Sequence, residues 1–328
     1  MNGLVSITND PGINLATEEY LLRHTNHDVF FLYTNSPSII IGKHQNTLAE
    51  INYEYINQRN IPVYRRLSGG GTVYHDLNNL NFCFIQTGKK GELVNFAKYS
   101  EPILLALNKL NIKATFGKRH DIQINGKKIS GNASHVYKNR VMHHGTLLFN
   151  SDLSILNNSL KTNPLSIKDK AVKSVRSEVT NITDYLTKPL SYTQFKSYIF
   201  DFLLNYYNTS STIQLNKPEI SQIEAIFKEK YNTWEWNYGY SPNFELNRSY
   251  KINSGARVIS LIRVEKGLIS ECQLKISDKS LKMYFDEICK HVIGIQHNSI
   301  LIKDELYKLK SIHLSENELN LVIDGFFN

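Results

Sequence analysis

The sequence predicts an α+β fold, with a mixed, largely antiparallel sheet flanked by helices and a small α+β domain at the C-terminal end. Two observations predict it. Short blocks of alternating apolar and polar residues recur between turn signals, and segments with helical spacing are interspersed among them. The larger part of the chain therefore mixes hairpins with helices. In addition, 328 residues exceed what one small core needs, which leaves room for two domains.

The elements follow in order. Asn14 is an N-cap residue type and opens a helix whose apolar face carries Leu15, Ala16, Tyr20 and Leu22. Strands are expected at 29–33, 38–41 and 62–66. Residues 72–75 and 81–86 are expected as a hairpin or as adjacent strands. Ile103, Leu107 and Leu110 give a helix from Ser100. Asn125-Gly126 is a two-residue hairpin turn, so residues 121–134 fold back on themselves and complete a sheet with a strand over 140–149. Short helices and loops fill 151–184, and long helices cover 191–207 and 217–231. Gly239, Ser241 and Pro242 mark a linker, which places the domains at 1–245 and 246–328. Beyond the linker, alternation over 250–264 and 268–276 surrounds a turn at Glu265-Lys266-Gly267, with helices at 279–290 and near the end.

Composition narrows the class. No apolar run approaches the ~20 residues that span a bilayer, and the first residues lack the pattern of a secretory signal. Cys83, Cys272 and Cys289 are odd in number and lack CxxC spacing. That favours a reducing cytoplasm, without a disulfide framework or a zinc site. The net charge of +8 comes from dispersed lysines rather than a basic stripe interleaved with aromatics, so no nucleic-acid or membrane partner is read. A mildly basic rim suits an acidic protein partner.

Three segments carry the chemistry. The first is Arg65-Arg66-Leu67-Ser68-Gly69-Gly70-Gly71-Thr72-Val73-Tyr74-His75. Glycines let a ligand lie against the backbone, and the guanidinium offers forked donors for phosphate or carboxylate. This is the chemistry of a nucleotide or acyl-phosphate cradle. It is neither a Walker P-loop, which needs Gly-Lys-Ser/Thr, nor a GxGxxG fingerprint. The second is Asp121-Ile122-Gln123-Ile124-Asn125-Gly126-Lys127-Lys128-Ile129-Ser130-Gly131-Asn132-Ala133, and the third is His143-His144-Gly145-Thr146-Leu147-Leu148-Phe149. Adjacent strand residues face opposite ways, so His143 and His144 are not read as a metal pair.

In this order and spacing, the three segments resemble the lipoate–protein ligases of the biotin/lipoate ligase superfamily. The resemblance begins at Asn14-Leu15-Ala16-Thr17-Glu18-Glu19. It continues through Lys173-Ser174-Val175-Arg176-Ser177-Glu178-Val179-Thr180-Asn181 and reaches Trp234-Glu235-Trp236-Asn237-Tyr238-Gly239. It implies an ATP-dependent enzyme that makes lipoyl-AMP from lipoic acid and passes the lipoyl group to a lysine of an acceptor domain. The acceptor would be a 2-oxoacid dehydrogenase acyltransferase subunit or the glycine-cleavage H protein. ATP, magnesium and lipoic acid are then the small molecules, with no tightly bound prosthetic group.

By the same resemblance, Lys128 is the catalytic lysine, touching both the acyl carboxylate and the α-phosphate. Lys127, its neighbour, points to the opposite face. The ATP-binding set is Arg66, Gly71, Thr72, Val73, Tyr74 and Lys128, with Lys173 and Arg176 from a loop over 168–180 that orders over the adenylate. The lipoate-binding set is Leu15, Arg66, Ser68, Gly70, His75, Lys128, Gly131 and His144. Asp121 matches a magnesium-holding position, the alternative being an ion pair with Arg119 or Lys128. Asn81 matches a polar position behind the glycine loop, and Trp234 and Trp236 are read as packing. Two other functions compete. One is an ATP-independent octanoyl or lipoyl transferase, against which Cys83 stands in an apolar strand. The other is a noncatalytic basic protein that binds RNA or a lipoyl domain, which would be expected to lose Lys128 or Arg66.

Overall fold

A computed structural model describes residues 1–89, 91, 93–160, 167–309 and 314–327. Within the loop region expected over 151–184, residues 161–166 lie outside the described residues. The chain divides into two compact units. The first takes Met1–Lys43, Ile61–Asn157 and Ser174–Thr233; the second takes His44–Asn60, Asn158–Lys173 and Trp234–Asn328. Two early segments thus fold with the C-terminal residues, because their backbone pairs there. Asn52 N donates to Ser159 O at 2.8 Å, and Ile167–Asp169 pairs with Phe244–Lys251. Long-range pairing of this kind leaves no local mark in a sequence.

In the first unit the strands are β1 (Asn2–Val5), β2 (Val29–Thr34), β3 (Ser38–Ile41), β4 (Val63–Arg65), β5 (Val73–His75), β6 (Asn79–Thr87), β7 (Ala114–Phe116), β8 (Ile122–Ile124), β9 (Lys127–Ser130), β10 (Asn132–Tyr137) and β11 (Arg140–Leu148). They form a five-stranded sheet in the order β1-β2-β6-β11-β10 and two three-stranded sheets, β4-β3-β5 and β7-β8-β9. Among the paired strands of the described residues, β1–β2 and β3–β4 are parallel and the others antiparallel. β5 and β6, expected as neighbours, lie in different sheets. Between them Asp76 redirects the chain, accepting from Asn78 N through its side chain at 3.0 Å and from Asn79 N through its carbonyl at 3.1 Å. β9 and β10 also part company, at Gly131.

Two helices begin earlier than the apolar periodicity places them. The helix Pro11–His24 is capped by Asp10, whose carboxylate accepts from Ile13 N at 2.9 Å. Proline is tolerated in that first turn because its missing N–H has no helical partner there. Asn14 is therefore inside the helix, where its amide donates to Thr34 O at 3.2 Å and Asn35 Oδ1 at 2.8 Å. The helix Phe96–Lys109 starts at the Asn95 cap. This helix and Tyr192–Tyr206 close the core of the first unit, where Phe30, Phe82, Phe84, Ile103, Leu107, Phe195 and Ile199 are buried together.

In the second unit, β12 (Ile167–Asp169), β13 (Phe244–Lys251), β14 (Arg257–Glu265) and β15 (Leu268–Ile276) form an antiparallel sheet in that order. The alternation read over 250–264 is two strands, broken where Gly255 adopts φ +83°. The helix Lys282–Val292 packs Phe285, Ile288 and Val292 inward.

Candidate functional site

The glycine loop of the first unit is built around one side chain. Arg66 is 6% exposed and donates to Ile40 O at 3.0 Å, to Gly69 O and Gly71 O at 2.7 Å each, and through Nε to Ser68 Oγ at 3.0 Å. Three of its five N–H donors are thus spent on the loop that follows it and a fourth on β3. Burial lowers its pKa to about 10, opposed by the charge of Glu18 and by Tyr33. Gly70 has φ +87°, and a Cβ there would sit 3.2 Å from Arg66 Nη2, so glycine is needed for conformation and for room. Arg65, on the opposite face, donates to Gly42 O at 3.0 Å and is fully buried. Asn81 Oδ1 accepts from Asn79 Nδ2 at 2.9 Å, so its carbonyl serves β6 rather than the loop.

Lys128 stands on β9, beyond the left-handed Asn125-Gly126 turn. Its ammonium has no hydrogen-bond or ion-pair partner among the described residues. Burial lowers its pKa, Asp121 partly compensates, and Arg66 and Arg119 lower it further. Gly131 makes the space, since a Cβ there would lie 3.1 Å from Lys128 Nζ and 4.0 Å from Val73 Cγ1. The ammonium is therefore held next to the strand that leaves the glycine loop. Asp121 is 6% exposed; its Oδ2 accepts from Gln123 Nε2 at 2.7 Å, and its Oδ1 is buried without a partner among the described residues. Lys127, pointing away, pairs with exposed Glu178 at 2.7 Å.

The segment 174–180 touches both halves of this site. Ser174 Oγ accepts from Thr72 N at 2.9 Å and lies 3.1 Å from where a Gly71 Cβ would be. At the other end, Lys128 N donates to Glu178 O at 2.8 Å and Thr180 N to Lys128 O at 3.1 Å. Arg176 is exposed between these anchors. Lys173 belongs to the second unit, where it pairs with Asp169 at 2.5 Å, so the expected loop over 168–180 is divided between the units.

The two adjacent histidines face opposite ways. His143 Nδ1 bonds Ser134 Oγ at 2.9 Å, and its ring stacks on Tyr99; burial lowers its pKa to about 3. His144 faces the glycine loop, with Nε2 2.6 Å from Ser68 Oγ and Nδ1 2.9 Å from Glu18 Oε2. Tyr33 OH donates to Glu18 Oε1 at 2.9 Å. His75 Nδ1 accepts from Asn35 Nδ2 at 2.9 Å. Its Nε2 is then the protonated nitrogen, buried without a partner among the described residues. Burial, Arg66 and His144 hold this ring neutral, with its pKa lowered to about 3. Leu15, 2% exposed, lies on the same helix as Glu18.

The fold thus gathers Arg66, Ser68, Gly70, Gly71, Thr72, Val73, Lys128, Gly131 and His144, with His75 and Asp121 at its margins. Tyr74 is buried on β5, paired with Ile39 of β3. Glu18 is the residue that sequence reasoning passed over. Its signal was an acidic residue one turn from both Leu15 and Leu22, in a helix that is buried throughout Asn14–Leu22, a position that demands a buried partner. Cys83 is fully buried, and burial followed by Glu18 pushes its thiol well above its ordinary range. No group of three or more metal-ligating side chains occurs among the described residues, and no described helix is long and apolar enough to cross a membrane.

Comparison with known proteins shows the family. Residues 10–203 match the family model of the lipoyl protein ligase A/B catalytic domain. The chain is 39% identical over 318 residues to lipoate-protein ligase LplJ of Bacillus subtilis, covering 94% of each. It is 43% identical over 267 residues to lipoate–protein ligase 1 of Staphylococcus aureus, covering 81% of each. Among solved structures, a bi-partite lipoate protein ligase from Thermoplasma acidophilum, studied with its E2 lipoyl domain, superposes with a TM-score of 0.64 at 26% identity, over 73% of this chain and 96% of that one. The chain belongs to the lipoyl protein ligase A/B family and is a lipoate–protein ligase.

Proposed function

We propose that the site around Lys128 activates lipoate with ATP and then hands the lipoyl group to a lysine of a lipoyl domain. The observation that carries this is a half-buried ammonium, without a partner among the described residues, held between Gly131 and the glycine-loop strand. A partly desolvated cation without a protein partner is costly, and an anionic substrate removes that cost. In the first step the lipoate carboxylate attacks the α-phosphorus of ATP and pyrophosphate leaves. Lys128 contacts the attacking carboxylate and the α-phosphate together, aligning them and stabilising the charge gathered at phosphorus. Backbone groups of Gly71, Thr72, Val73 and Tyr74 line the nucleotide, while Arg66 contributes its charge and the shape of the loop it holds. Leu15, Ser68, Gly70, Gly131 and His144 border the acyl chain, and the Nε2–H of His75, without a partner among the described residues, offers one donor to its carboxyl end.

Asp121 Oδ1, buried and without a partner among the described residues, fits the single carboxylate that magnesium takes beside phosphate oxygens. Bound there, magnesium would neutralise phosphate charge. Segment 174–180, with Arg176, covers the adenylate and excludes water, and we assign Lys173 to the same cover. In the second step the acceptor ε-amine attacks the acyl carbonyl, AMP leaves and an amide forms. The lipoyl domain studied with the Thermoplasma ligase supports such an acceptor, an H protein or a dehydrogenase acyltransferase subunit. We assign the chemistry to the span 1–245, an accessory role to 246–328, and the reaction to the cytoplasm.

The test is pyrophosphate release with ATP, Mg²⁺ and lipoic acid, without acceptor, for wild type and Lys128→Ala. Lipoate-dependent release that the substitution abolishes is the expected result. No release by the wild type would overturn independent adenylation in favour of acyl transfer without ATP.

A further inference from the structure

We infer that Glu18 is a positioning residue, whose carboxylate fixes the tautomer of His144 and through it the placement of Ser68 and the Arg66 guanidinium beneath the glycine loop. The inference rests on the reading of that loop as the adenylation site. It follows from the direction each hydrogen bond must take. Arg66 Nε can only donate, so Ser68 Oγ accepts from it at 3.0 Å. Ser68 then satisfies its own proton by turning it toward His144 Nε2, 2.6 Å away, since leaving it without an acceptor in a buried site is costly. That nitrogen is therefore bare, and the ring proton sits on Nδ1, between 2.9 and 3.0 Å from the Glu18 oxygens. Tyr33 donates to the same carboxylate at 2.9 Å. Protons thus run from Arg66 and from Tyr33 toward a single buried charge.

The neighbouring Glu19 shows what a structural carboxylate looks like in this helix. It is met by Arg23 at 2.9 Å, Lys230 at 2.9 Å and the Tyr231 hydroxyl at 2.9 Å. Glu18, only 1% exposed, has no lysine or arginine within ion-pair distance among the described residues. A buried carboxylate left without a lysine or arginine is expensive, and its contact with His144 leads to the loop. Were His144 the Nε2–H tautomer, Arg66 and His144 would both donate to Ser68, whose hydroxyl proton would lose its acceptor. The hydroxyl that anchors Arg66 Nε would then carry an unsatisfied buried proton and be held less firmly in place.

The experiment uses the full chain. ¹⁵N-histidine spectra, with the His144 signals assigned by their loss in His144→Gln, are expected to show protonated Nδ1 and bare Nε2 in the wild type. A protonated Nε2 overturns the proposal whatever the variants do. Glu18→Gln is expected to lower kcat for lipoate-dependent pyrophosphate release about tenfold to a hundredfold, the scale of a displacement near 1 Å, without lowering the thermal midpoint. In the His144→Gln background the same substitution is expected to cost almost nothing more, because the two act in series. Additive losses, or a loss of activity that tracks a falling midpoint, would reduce Glu18 to a packing role. Failure of the wild type to release pyrophosphate would instead count against the adenylation reading, since the tautomer is measured without turnover.

Discussion

Replacing Lys128 by methionine keeps most of the stem and removes the ammonium, and the structure requires two opposite consequences. For activity, a preorganised charge at the reacting phosphate is worth about 2.7–4 kcal/mol, so kcat should fall about 10²–10³-fold. For stability, the effect should be favourable at neutral pH. Burial and the nearby Arg66 and Arg119 lower the Lys128 pKa, with Asp121 only partly compensating. The unfolded chain holds this proton up to the ordinary lysine value of 10.5, and the folded chain releases it at lower pH. Between those values the unfolded state binds more protons, so wild-type stability rises with pH across the window. Below the folded value the full penalty is present; above 10.5 it is gone. Urea denaturation at pH 7 should therefore find Lys128→Met at least as stable as wild type, and the difference should shrink as pH approaches 10.5. A variant that is less stable at pH 7, with activity lost in proportion, would make Lys128 a structural cation and refute the argument.

Gly131→Ala tests the same placement from the other side. The new methyl would meet Lys128 Nζ at 3.1 Å and Cε at 3.3 Å, pushing the ammonium by a few tenths of an ångström; kcat should drop about threefold to tenfold, with an unchanged melting curve. Cys83→Ala should keep kcat within about threefold of wild type and cost about 1–2 kcal/mol in chemical denaturation, because a buried thiol held protonated is packing; loss of turnover would revive a cysteine-based transferase. Cys272 on β15 and Cys289 on the helix Lys282–Val292 bring their sulfurs within 3.0 Å. A small-molecule disulfide should oxidise them to a cross-link, seen as loss of two thiols in a thiol titration of the native chain, and Cys272→Ser should abolish it.

Much of the site was legible in the sequence because its parts are local. A glycine that needs φ +87° at position 70, a two-residue turn at Asn125-Gly126, and the alternation that turns Lys127 and Lys128 to opposite faces are all set by neighbours one or two residues away. The strand Ser38–Ile41 was read at its observed bounds for the same reason. Helix starts were read late because apolar periodicity begins only after the cap: Asp10 and Asn95 are polar and precede the buried stripe.

The sequence by itself determined the α+β class, the family, and the short motifs that make a cradle for an acyl phosphate. Only the tertiary structure decided how they meet. It drew the early segments 44–60 and 158–173 into the second unit, and sent β5 and β6 to different sheets. It also spent three of the Arg66 donors on its own loop and left the Lys128 ammonium without a partner among the described residues. Above all it placed Glu18, on the first helix, against His144, 126 positions further on. Such a contact is invisible to any local reading, because hydrogen bonds and burial are fixed by distance in space and the chain carries no mark of which distant residue will satisfy them.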